Sequence, residues 1–439
     1  MDRNYPPMNP EIWGGIECTI NRIGNNFRDQ LDYSGHYTRA GDIERISDLG
    51  IRALRYPVLW ERHQPVKDQL IDWSWAEQQL QKIRKNNITP IVGLVHHGSG
   101  PAHTSLYNGN FATGLANYAH QVATRFPWIE YYTPVNEPLT TARFSGLYGN
   151  WYPHYKNAYS FVIMLLNQVK GIVLAMQAIR RINPHAKLVQ TEDLGKTHST
   201  DLLTYQTDFE NERRWLTYDL LCGRVTKQHP LWDYFISLGI KEAQLFFFIE
   251  HTCIPDIMGL NYYITSERFL DEDLAAYPAH THGGNNTHAY ADVEAVRVIK
   301  PTGVKNLLLE AWNRFHLPLA ITEAHLHCNE VDQGRWFKEI WDACCQVKQT
   351  GVNLKAVTAW SLLGAYDWNS LLTRTELFYE SGVFDISNNV LQPTLTASLI
   401  ASLTSQGYCD HPLLAQKGWW HHDDRLIKYS GSSLDKLLQ

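Results

Sequence analysis

Two apolar segments of this chain each end in a glutamate. Residues 130–138 read Glu-Tyr-Tyr-Thr-Pro-Val-Asn-Glu-Pro, so Glu137 follows a strand-like run and precedes Pro138. Pro138 has no N–H, and a strand ladder therefore ends at Glu137. Far downstream, residues 317–322 form a second apolar run, which ends at Glu323. Burying a carboxylate at the end of a strand costs free energy, so a carboxylate there usually has a role. Two strand-end carboxylates indicate a paired-carboxylate hydrolase.

Repeating strand and helix units surround these two segments. Helical patterns separate the strands, the clearest of them at residues 157–182. Near-continuous apolar strands that alternate with helices predict a parallel sheet, and eight units predict a (β/α)8 TIM barrel of class α/β, with its active site at the C-terminal ends of the strands. The predicted strands are residues 11–17, 51–57, 88–95, 130–138, 186–193, 256–263, 317–322 and 354–360.

No linker rich in Pro, Gly or Ser divides the chain. We therefore interpret residues 1–405 as one barrel domain and residues 406–439 as an irregular C-terminal extension along its surface. Residues 277–290 contain three histidines, two glycines and two asparagines, and we interpret them as an excursion loop.

The polar candidates for chemistry all follow predicted strands, on the face where such barrels place their active sites. A lone glutamate at a strand end is more often structural than catalytic, but their common position on one rim favours a shared site. The candidates are Glu17, His96, Asn136, Glu137, Glu192, Asp193, Asn261, Tyr263, Glu323, Trp360 and Asp367.

Composition excludes several classes of partner. The formal net charge of −6 leaves no basic field for nucleic acid. No apolar run approaches the ~18 residues of a membrane helix, and residues 1–7 have no apolar core of a signal peptide. Seven scattered cysteines without a Cys-x-x-Cys pair indicate reduced thiols and a cytoplasmic protein. The 15 Trp and 23 Tyr are consistent with a large core or with flat surfaces for stacking sugar rings.

Five segments, in order, resemble glycoside hydrolase family 1, the β-glucosidase and β-galactosidase group. The likeness covers about residues 13–394. The sequence departs from the family pattern at several positions. Ala324-His325 replaces the usual Asn-Gly, His97 replaces a Trp, and Asp367 replaces a Glu. The segments are Val-His-His at 95–97, Thr-Pro-Val-Asn-Glu-Pro at 133–138, Gly-Leu-Asn-Tyr-Tyr at 259–263, Ile-Thr-Glu at 321–323, and residues 360–368 with Trp-Ser-Leu-Leu and Tyr-Asp-Trp.

The chain is more similar still to a divergent branch of that family, through Trp-Gly-Gly-Ile-Glu-Cys-Thr at 13–19 and Gly-Leu-Val-His-His-Gly-Ser-Gly-Pro at 93–101. Members of that branch are often fused to a domain resembling dTDP-4-dehydrorhamnose reductase, which implies a sugar-nucleotide reductase as a partner. We expect such a domain to be absent here. The sequence has no Gly-x-Gly-x-x-Gly strand–helix unit, so we expect no nicotinamide or other cofactor.

The resemblance also implies a role for each matching residue. Glu323 would be the nucleophile and Glu137 the acid and base, in a retaining reaction on a small β-glycoside or oligosaccharide. Arg55 and Tyr263 would support the nucleophile. The residues expected to bind the sugar are Glu17 (where the family usually has Gln), His96, Asn136, Asn261, Tyr263, Trp360 as a platform, Asp367 near the 4- and 6-hydroxyls, and Trp368.

Two alternatives remain open at the level of sequence. Glu323, His325 and His327 alternate and precede Cys328, and with His96, His97 and His103 they could bind zinc in a metal-dependent hydrolase. A hydrogen-bonded loop position is the more frequent explanation for each of these histidines, and we predict no metal. The second alternative is a weakly active sugar-binding or scaffold protein, because several contacts to the sugar differ from the family pattern.

Overall fold

Eight parallel strands close into a barrel in the computed structural model, which describes residues 9–426. Each strand pairs with its neighbours in chain order, and β1 pairs with both β2 and β8. The predicted TIM barrel is therefore confirmed. The strands are β1 (Glu11–Gly15), β2 (Ala53–Pro57), β3 (Thr89–Gly93), β4 (Tyr131–Thr133), β5 (Lys187–Asp193), β6 (Ile257–Tyr263), β7 (Leu319–His325) and β8 (Leu354–Ala359).

Helices follow the barrel strands along the chain. The helix after β4 begins where the Asn157 side chain accepts the Ser160 N–H, and it ends before Asn183, which precedes Pro184. The longer helices are Asp42–Asp48, Ser74–Lys85, Asn110–Arg125, Ala158–Ile182, Thr204–Arg213, Glu242–Glu250, Gly303–Phe315, Glu330–Gln349 and Leu395–Gln406, and the short ones are Gln30–Tyr33, Trp60–His63, Pro138–Ala142, Leu216–Leu221 and Trp232–Ser237.

Among the described residues, Ala158–Ile182 is apolar and long enough to cross a membrane by length and composition alone. However, 72% of its most apolar window is buried inside the protein, and it packs along Asn110–Arg125. The expectation that no segment is this apolar is wrong for this one helix. Burial against the rest of the protein accounts for its composition, since a helix covered on most sides is apolar on most sides.

One layer of side chains closes the lower barrel. Each strand contributes one residue, as expected when alternate side chains point inward. The layer is a packed core, and polar groups therefore collect above it, toward the C-terminal ends of the strands. Its members are Trp13, Ala53, Ile91, Tyr131, Val189, Ile257, Ala320 and Ala356.

Glycine occupies two barrel positions where a side chain would collide. A Cβ on Gly15 would lie 2.5 Å from Trp360 Cε3, and one on Gly259 would lie 2.7 Å from Thr322 Cγ2. Each glycine lies two residues beyond a member of the apolar layer, on the same face of its strand. Their lack of a side chain leaves room for Trp360 and Thr322.

Four additional sheets among the described residues were not predicted. Two of them are the short pairs Ala365–Tyr366 with Tyr379–Glu380 and Phe384–Asp385 with Gln392–Pro393. Ile20–Ile23 and Asn26–Asp29 form a hairpin after β1. A four-stranded sheet lies outside the barrel, formed by Lys196–Ser199, Glu267–Asp271, His282–Gly284 and Ala289–Glu294. Part of the segment predicted as an excursion loop, residues 277–290, therefore belongs to this sheet. Its strands are short, and some of them pair with segments that lie far apart in the sequence, so local composition does not predict them.

The chain after Gln406 runs irregularly, in short 3-10 turns, up to residue 426. Trp420 is buried, packs edge-on against Trp336 and donates its indole N–H to Glu339 at 2.9 Å. These contacts attach the segment to Glu330–Gln349. The domain boundary at 405 stays a prediction, and residues 1–8 and 427–439, with the signal-peptide expectation and the end of the extension, lie outside the described residues.

We predict that Gly15→Ala destabilises the protein by about 1–3 kcal/mol, because the new methyl group must displace Trp360. Urea unfolding followed by tryptophan fluorescence measures the change. Gly109→Ala is the matched control, since a Cβ at Gly109 meets no atom within 4 Å. Equal stability of the two variants would contradict this account of Gly15.

Candidate active site

Glu137 occupies a strained turn between β4 and a short helix. Its backbone is left-handed, with φ 45°, a conformation that costs free energy for a residue with a side chain. The turn begins at Asn136, whose N–H donates to Val95 O at 3.0 Å, and Glu137 N–H donates to Thr191 O at 3.3 Å. Helix Pro138–Ala142 starts at once, with Pro at its first position. The chain reversal directs the Glu137 side chain away from the helix and toward the barrel mouth.

A second glutamate, Glu192 of β5, holds this turn in place by hydrogen bonds to the start of the helix that follows it. Its carboxylate accepts the N–H groups of Leu139 at 2.9 Å and Thr140 at 3.3 Å, which are free donors at the helix start. The hydroxyls of Thr140 and Thr217 donate to it at 3.1 and 2.8 Å. Glu192 is completely buried. Burial raises the pKa of Glu192 to about 7, although these donors oppose the rise. Glu192 is a candidate in the sequence without an assigned role, and in the structure it anchors the turn.

Glu323 lies across the barrel on β7. The register between β7 and β6 shifts between Ile321 and Glu323, and such a bulge changes the direction of the side chains around it. Arg55 Nη1 donates to Glu323 Oε1 at 2.8 Å and to Thr322 O at 2.6 Å. The hydroxyl of Tyr263 donates to Glu323 Oε2. The structure thus brings Arg55 and Tyr263 to the predicted nucleophile.

Asn261, Thr322 and Arg55 connect Glu137 to Glu323 by hydrogen bonds, and Asn136 joins this chain at Arg55. Two threonines orient the amides of Asn136 and Asn261. Asn136 Oδ1 accepts from Arg55 Nη2 at 2.6 Å and from Thr191 Oγ1 at 2.7 Å. Asn261 Oδ1 accepts from Thr322 Oγ1 at 2.6 Å, so its Nδ2 donates to Glu137 Oε1 at 2.5 Å. The hydrogen-bonded chain therefore runs between the two sides of the barrel mouth.

The two central carboxyls have different surroundings. Burial raises the pKa of Glu137 well above its ordinary value, and the negative charges of Glu323, Glu192 and Asp193 raise it further. Burial also raises the pKa of Glu323, but Arg55 and Tyr263 oppose that rise. The arrangement therefore favours a protonated Glu137 beside an ionised Glu323, a division of roles that suits an acid and a nucleophile.

Trp360 follows β8 and forms one wall of the site. The His96 ring stacks on it, with centroids 5.5 Å apart and planes at 7°, and the Arg55 guanidinium carbon lies 4.7 Å from its ring centroid. Burial lowers the pKa of His96 well below its ordinary value, and burial and Arg55 lower that of His97 to about 3. Both histidines are therefore neutral. The function of Trp360 as a sugar platform stays a prediction.

Glu17, after β1, is a further buried carboxyl at the same end of the barrel. Its N–H donates to Ser361 Oγ at 3.1 Å, and its Oε1 accepts the Thr19 N–H at 2.8 Å. Burial raises the pKa of Glu17 to about 7, with Glu323 adding to the rise and Thr19 and Arg55 opposing it.

Asp367 and Trp368 lie in the loop after β8. The Asp367 carboxylate accepts the backbone N–H of Phe378 at 2.8 Å and that of Glu376 at 3.2 Å. It thus fastens its own loop, which sequence analysis did not foresee. Trp368 packs edge-on against His97 with centroids 5.5 Å apart, and its buried indole N–H has no partner among residues 9–426. Contacts of these two residues with a sugar stay predictions.

Thr191 and Thr322 orient the two asparagine amides, a role that the sequence does not predict. Both are completely buried hydroxyls, and Thr322 stands directly before Glu323 in the sequence. A buried Thr near a strand end is a weak signal by itself, because β-branched residues are common in strands. The bulge in β7 decides where this hydroxyl points.

The candidate zinc ligands are dispersed. Within the range 9–426, no group of three or more His, Cys, Asp or Glu side chains is arranged to hold a metal ion. His325 faces Glu380, with Nε2 3.7 Å from Oε2, and His327 packs against Phe378. Cys328 donates to the backbone oxygen of Asn329 at 3.4 Å. The alternation of these residues in sequence does not converge in space on Glu323.

Comparison with known proteins gives a consistent assignment. The family model described as "Glycosyl hydrolase family 1" matches residues 22–380. Aryl-phospho-beta-D-glucosidase BglC of Bacillus subtilis (strain 168) is 22% identical over 415 residues, 83% of this chain and 85% of that protein. Beta-glucosidase A of Thermotoga maritima is 22% identical over 394 residues, 81% of this chain and 84% of that protein.

Solved structures agree on the fold. The Beta-glucosidase from Thermotoga maritima in complex with azafagomine superposes with a TM-score of 0.73 at 17% identity, covering 92% of this chain and 99% of that one. The same enzyme in complex with galacto-hydroximolactam gives a TM-score of 0.74 with the same coverage and identity.

We predict that Tyr263→Phe shifts the acidic limb of the pH profile of kcat/KM for an aryl β-glycoside to higher pH. The lost hydroxyl donates to the ionised form of Glu323 and therefore lowers its pKa, so that its removal raises the pH at which Glu323 ionises. Tyr262→Phe is the control, because Tyr262 donates to Glu267 at 3.1 Å. An unchanged acidic limb in Tyr263→Phe would refute the coupling.

Proposed function

This chain belongs to glycosyl hydrolase family 1, and we propose that it is a retaining exo-β-glycosidase that acts through a covalent glycosyl-enzyme intermediate. The observation that carries the proposal is the asymmetric environment of two buried carboxyls, with a cation and a phenol on Glu323 and further acidic groups around Glu137. β-Glycosidase activity is what the family and its β-glucosidase relatives support.

In the first step Glu323 attacks the anomeric carbon of a β-linked sugar. Arg55 and Tyr263 direct one carboxylate oxygen each, so the attacking group is held in a single orientation. Attack from the face opposite the leaving group forms an α-linked ester and releases the aglycone.

Glu137 donates its proton to the departing oxygen in that step. It is then ionised and accepts a proton from water, and this water attacks the ester to restore the β configuration. The Asn261 N–H on Glu137 Oε1 and the left-handed turn keep the carboxyl in position through both steps.

Binding of the sugar is assigned to the polar residues of the rim. Asn136 presents Nδ2 near His96 Nε2, 3.2 Å away, and these two groups would contact hydroxyls near the reacting carbon. Glu17, Asn261, Tyr263, Trp360, Asp367 and Trp368 complete the proposed binding set.

The proposed substrates are β-linked glucosides, galactosides or fucosides, which the enzyme would hydrolyse or transfer to another sugar. Two relatives carry names that support β-glucosides. They are Beta-glucosidase A and Aryl-phospho-beta-D-glucosidase BglC, whose name specifies phosphorylated aryl β-glucosides. We further propose a cytoplasmic location and a sugar-nucleotide reductase as partner, both on the sequence features given above.

We predict that Glu323→Gln abolishes turnover of aryl β-glycosides, because an amide is a poor nucleophile. Glu137→Gln should spare dinitrophenyl glycosides, whose leaving group needs no proton, and strongly slow methyl glycosides. Initial rates on both substrate types, with circular dichroism to verify folding, measure the effect. Near-native turnover by folded Glu323→Gln would exclude this nucleophile.

We also predict the stereochemistry. Proton NMR of the first product from an aryl β-glycoside should show the β anomer before mutarotation, since two displacements give net retention. Early appearance of the α anomer would mean a single displacement and would refute the covalent intermediate.

A further inference from the structure

Glu17 is a third buried carboxyl beside the two proposed catalytic ones. Only 4% of it is exposed. One oxygen, Oε1, accepts the Thr19 N–H. No Lys, Arg or His nitrogen between residues 9 and 426 lies within ion-pair distance of its carboxylate, in contrast to Glu323, which pairs with Arg55 at 2.8 Å.

Arg55 is the cation nearest to these carboxyls, and its hydrogen bonds go elsewhere. Nη1 donates to Thr322 O and Glu323, and Nη2 donates to Asn136. His96 and His97 add no positive charge because both are neutral. An ionised Glu17 would therefore leave the site with more negative than positive charge, and an unpaired buried carboxylate is strongly unfavourable.

A second oxygen beside Glu17 also lacks a partner. Thr19 is completely buried, and its Oγ1 has no hydrogen-bond partner among the described residues. Buried polar atoms are satisfied in native proteins by protein, water or ligand. The Thr19 hydroxyl can donate to the Glu17 carboxylate or accept from a ligand, and a buried carboxylate beside it suits a group with several N–H donors and a positive charge.

From these observations we propose that Glu17 makes the sugar site selective for β-glycosides whose sugar carries a basic amino group, the ammonium supplying the cation that the protein does not. This inference rests on the proposed glycosidase function of the same site. Because burial raises the pKa of Glu17 to about 7, a bound ammonium can replace its proton near neutral pH at little cost.

Glu17 could instead bind a neutral sugar hydroxyl, and this role predicts a different effect of substitution. A protonated Glu17 could donate one hydrogen bond to a neutral hydroxyl, as an amide N–H can. Replacement by the neutral and isosteric Gln would preserve that contact but would remove a charge-assisted bond to an ammonium, which is roughly twice as strong as a neutral one. Comparing the wild type with Glu17→Gln therefore distinguishes binding of an ammonium from binding of a neutral hydroxyl.

The test measures binding at pH 7 by titration calorimetry with methyl 1-thio-β-glucosides, which resist hydrolysis. In each ligand one hydroxyl, at C3, C4 or C6, is replaced by an amino group, and the unmodified thioglucoside is the reference. We expect the wild type to bind one amino compound at least tenfold more tightly than the reference. Glu17→Gln should abolish that preference, so that the amino compound and the reference bind with equal affinity whatever the affinity for the reference becomes.

Glu61→Gln is the matched control, because Glu61 is another buried carboxyl, whose Oε1 accepts the Gly100 N–H at 2.9 Å. It should keep the preference. Weaker or equal binding of every amino compound by the wild type would overturn the proposal. An equal change for amino and reference compounds in Glu17→Gln would also do so.

These outcomes are independent of the proposed function, because the ligands are not cleaved. A protein that binds the amino compound through Glu17 but hydrolyses no aryl β-glycoside would keep this inference and lose the catalytic one. A protein that hydrolyses aryl β-glycosides but binds no amino compound more tightly would keep the catalytic proposal and lose this inference.

Discussion

The Arg55 guanidinium is the interaction on which the site depends. It lies above a packed apolar layer that closes the lower barrel, and it bonds at once to β7 through Thr322 O and Glu323 and to the β4 turn through Asn136. A buried cation is stable only when its donors are used and its charge is matched. Glu323 supplies the charge, so the ion pair fixes the proposed nucleophile and joins opposite sides of the barrel.

The geometry around Glu137 shows how strain is maintained at a site. A left-handed glutamate is unfavourable by itself, but its neighbours at the helix start have free N–H groups, and Glu192 accepts two of them. The rigid parallel strands β4 and β5 set the distance over which that anchor acts. The same buried carboxylate adds negative charge near Glu137 and helps to keep it protonated, so a structural contact also serves the proposed chemistry.

Space and charge are distributed unevenly around the barrel mouth. Glycines at 15 and 259 admit Trp360 and Thr322, and Trp360 in turn packs with His96 and Arg55. The acidic groups are more numerous than the cations that contact them, and within residues 9–426 Glu17 accepts from Thr19 but has no ion-pair partner. A proton on Glu17 offsets this imbalance, and so would the positively charged ligand that we propose.

The amino-acid sequence by itself determined the barrel, its eight strands and the common rim of Glu137, Glu323, Asn261 and Tyr263, and the family resemblance added Arg55. Strand and helix periods are local, and parallel strands bring their C-terminal ends together whatever the loops do. Only the tertiary structure decided which side chains meet. At the bulge in β7 the Thr322 hydroxyl donates to Asn261, while Glu323 is the residue paired with Asn261 in the strand register. Glu192, a candidate for chemistry in the sequence, anchors the β4 turn, and Asp367 accepts the amides of its own loop. Those outcomes depend on register, backbone dihedrals and contacts between residues far apart in the chain, which residue type and spacing do not encode.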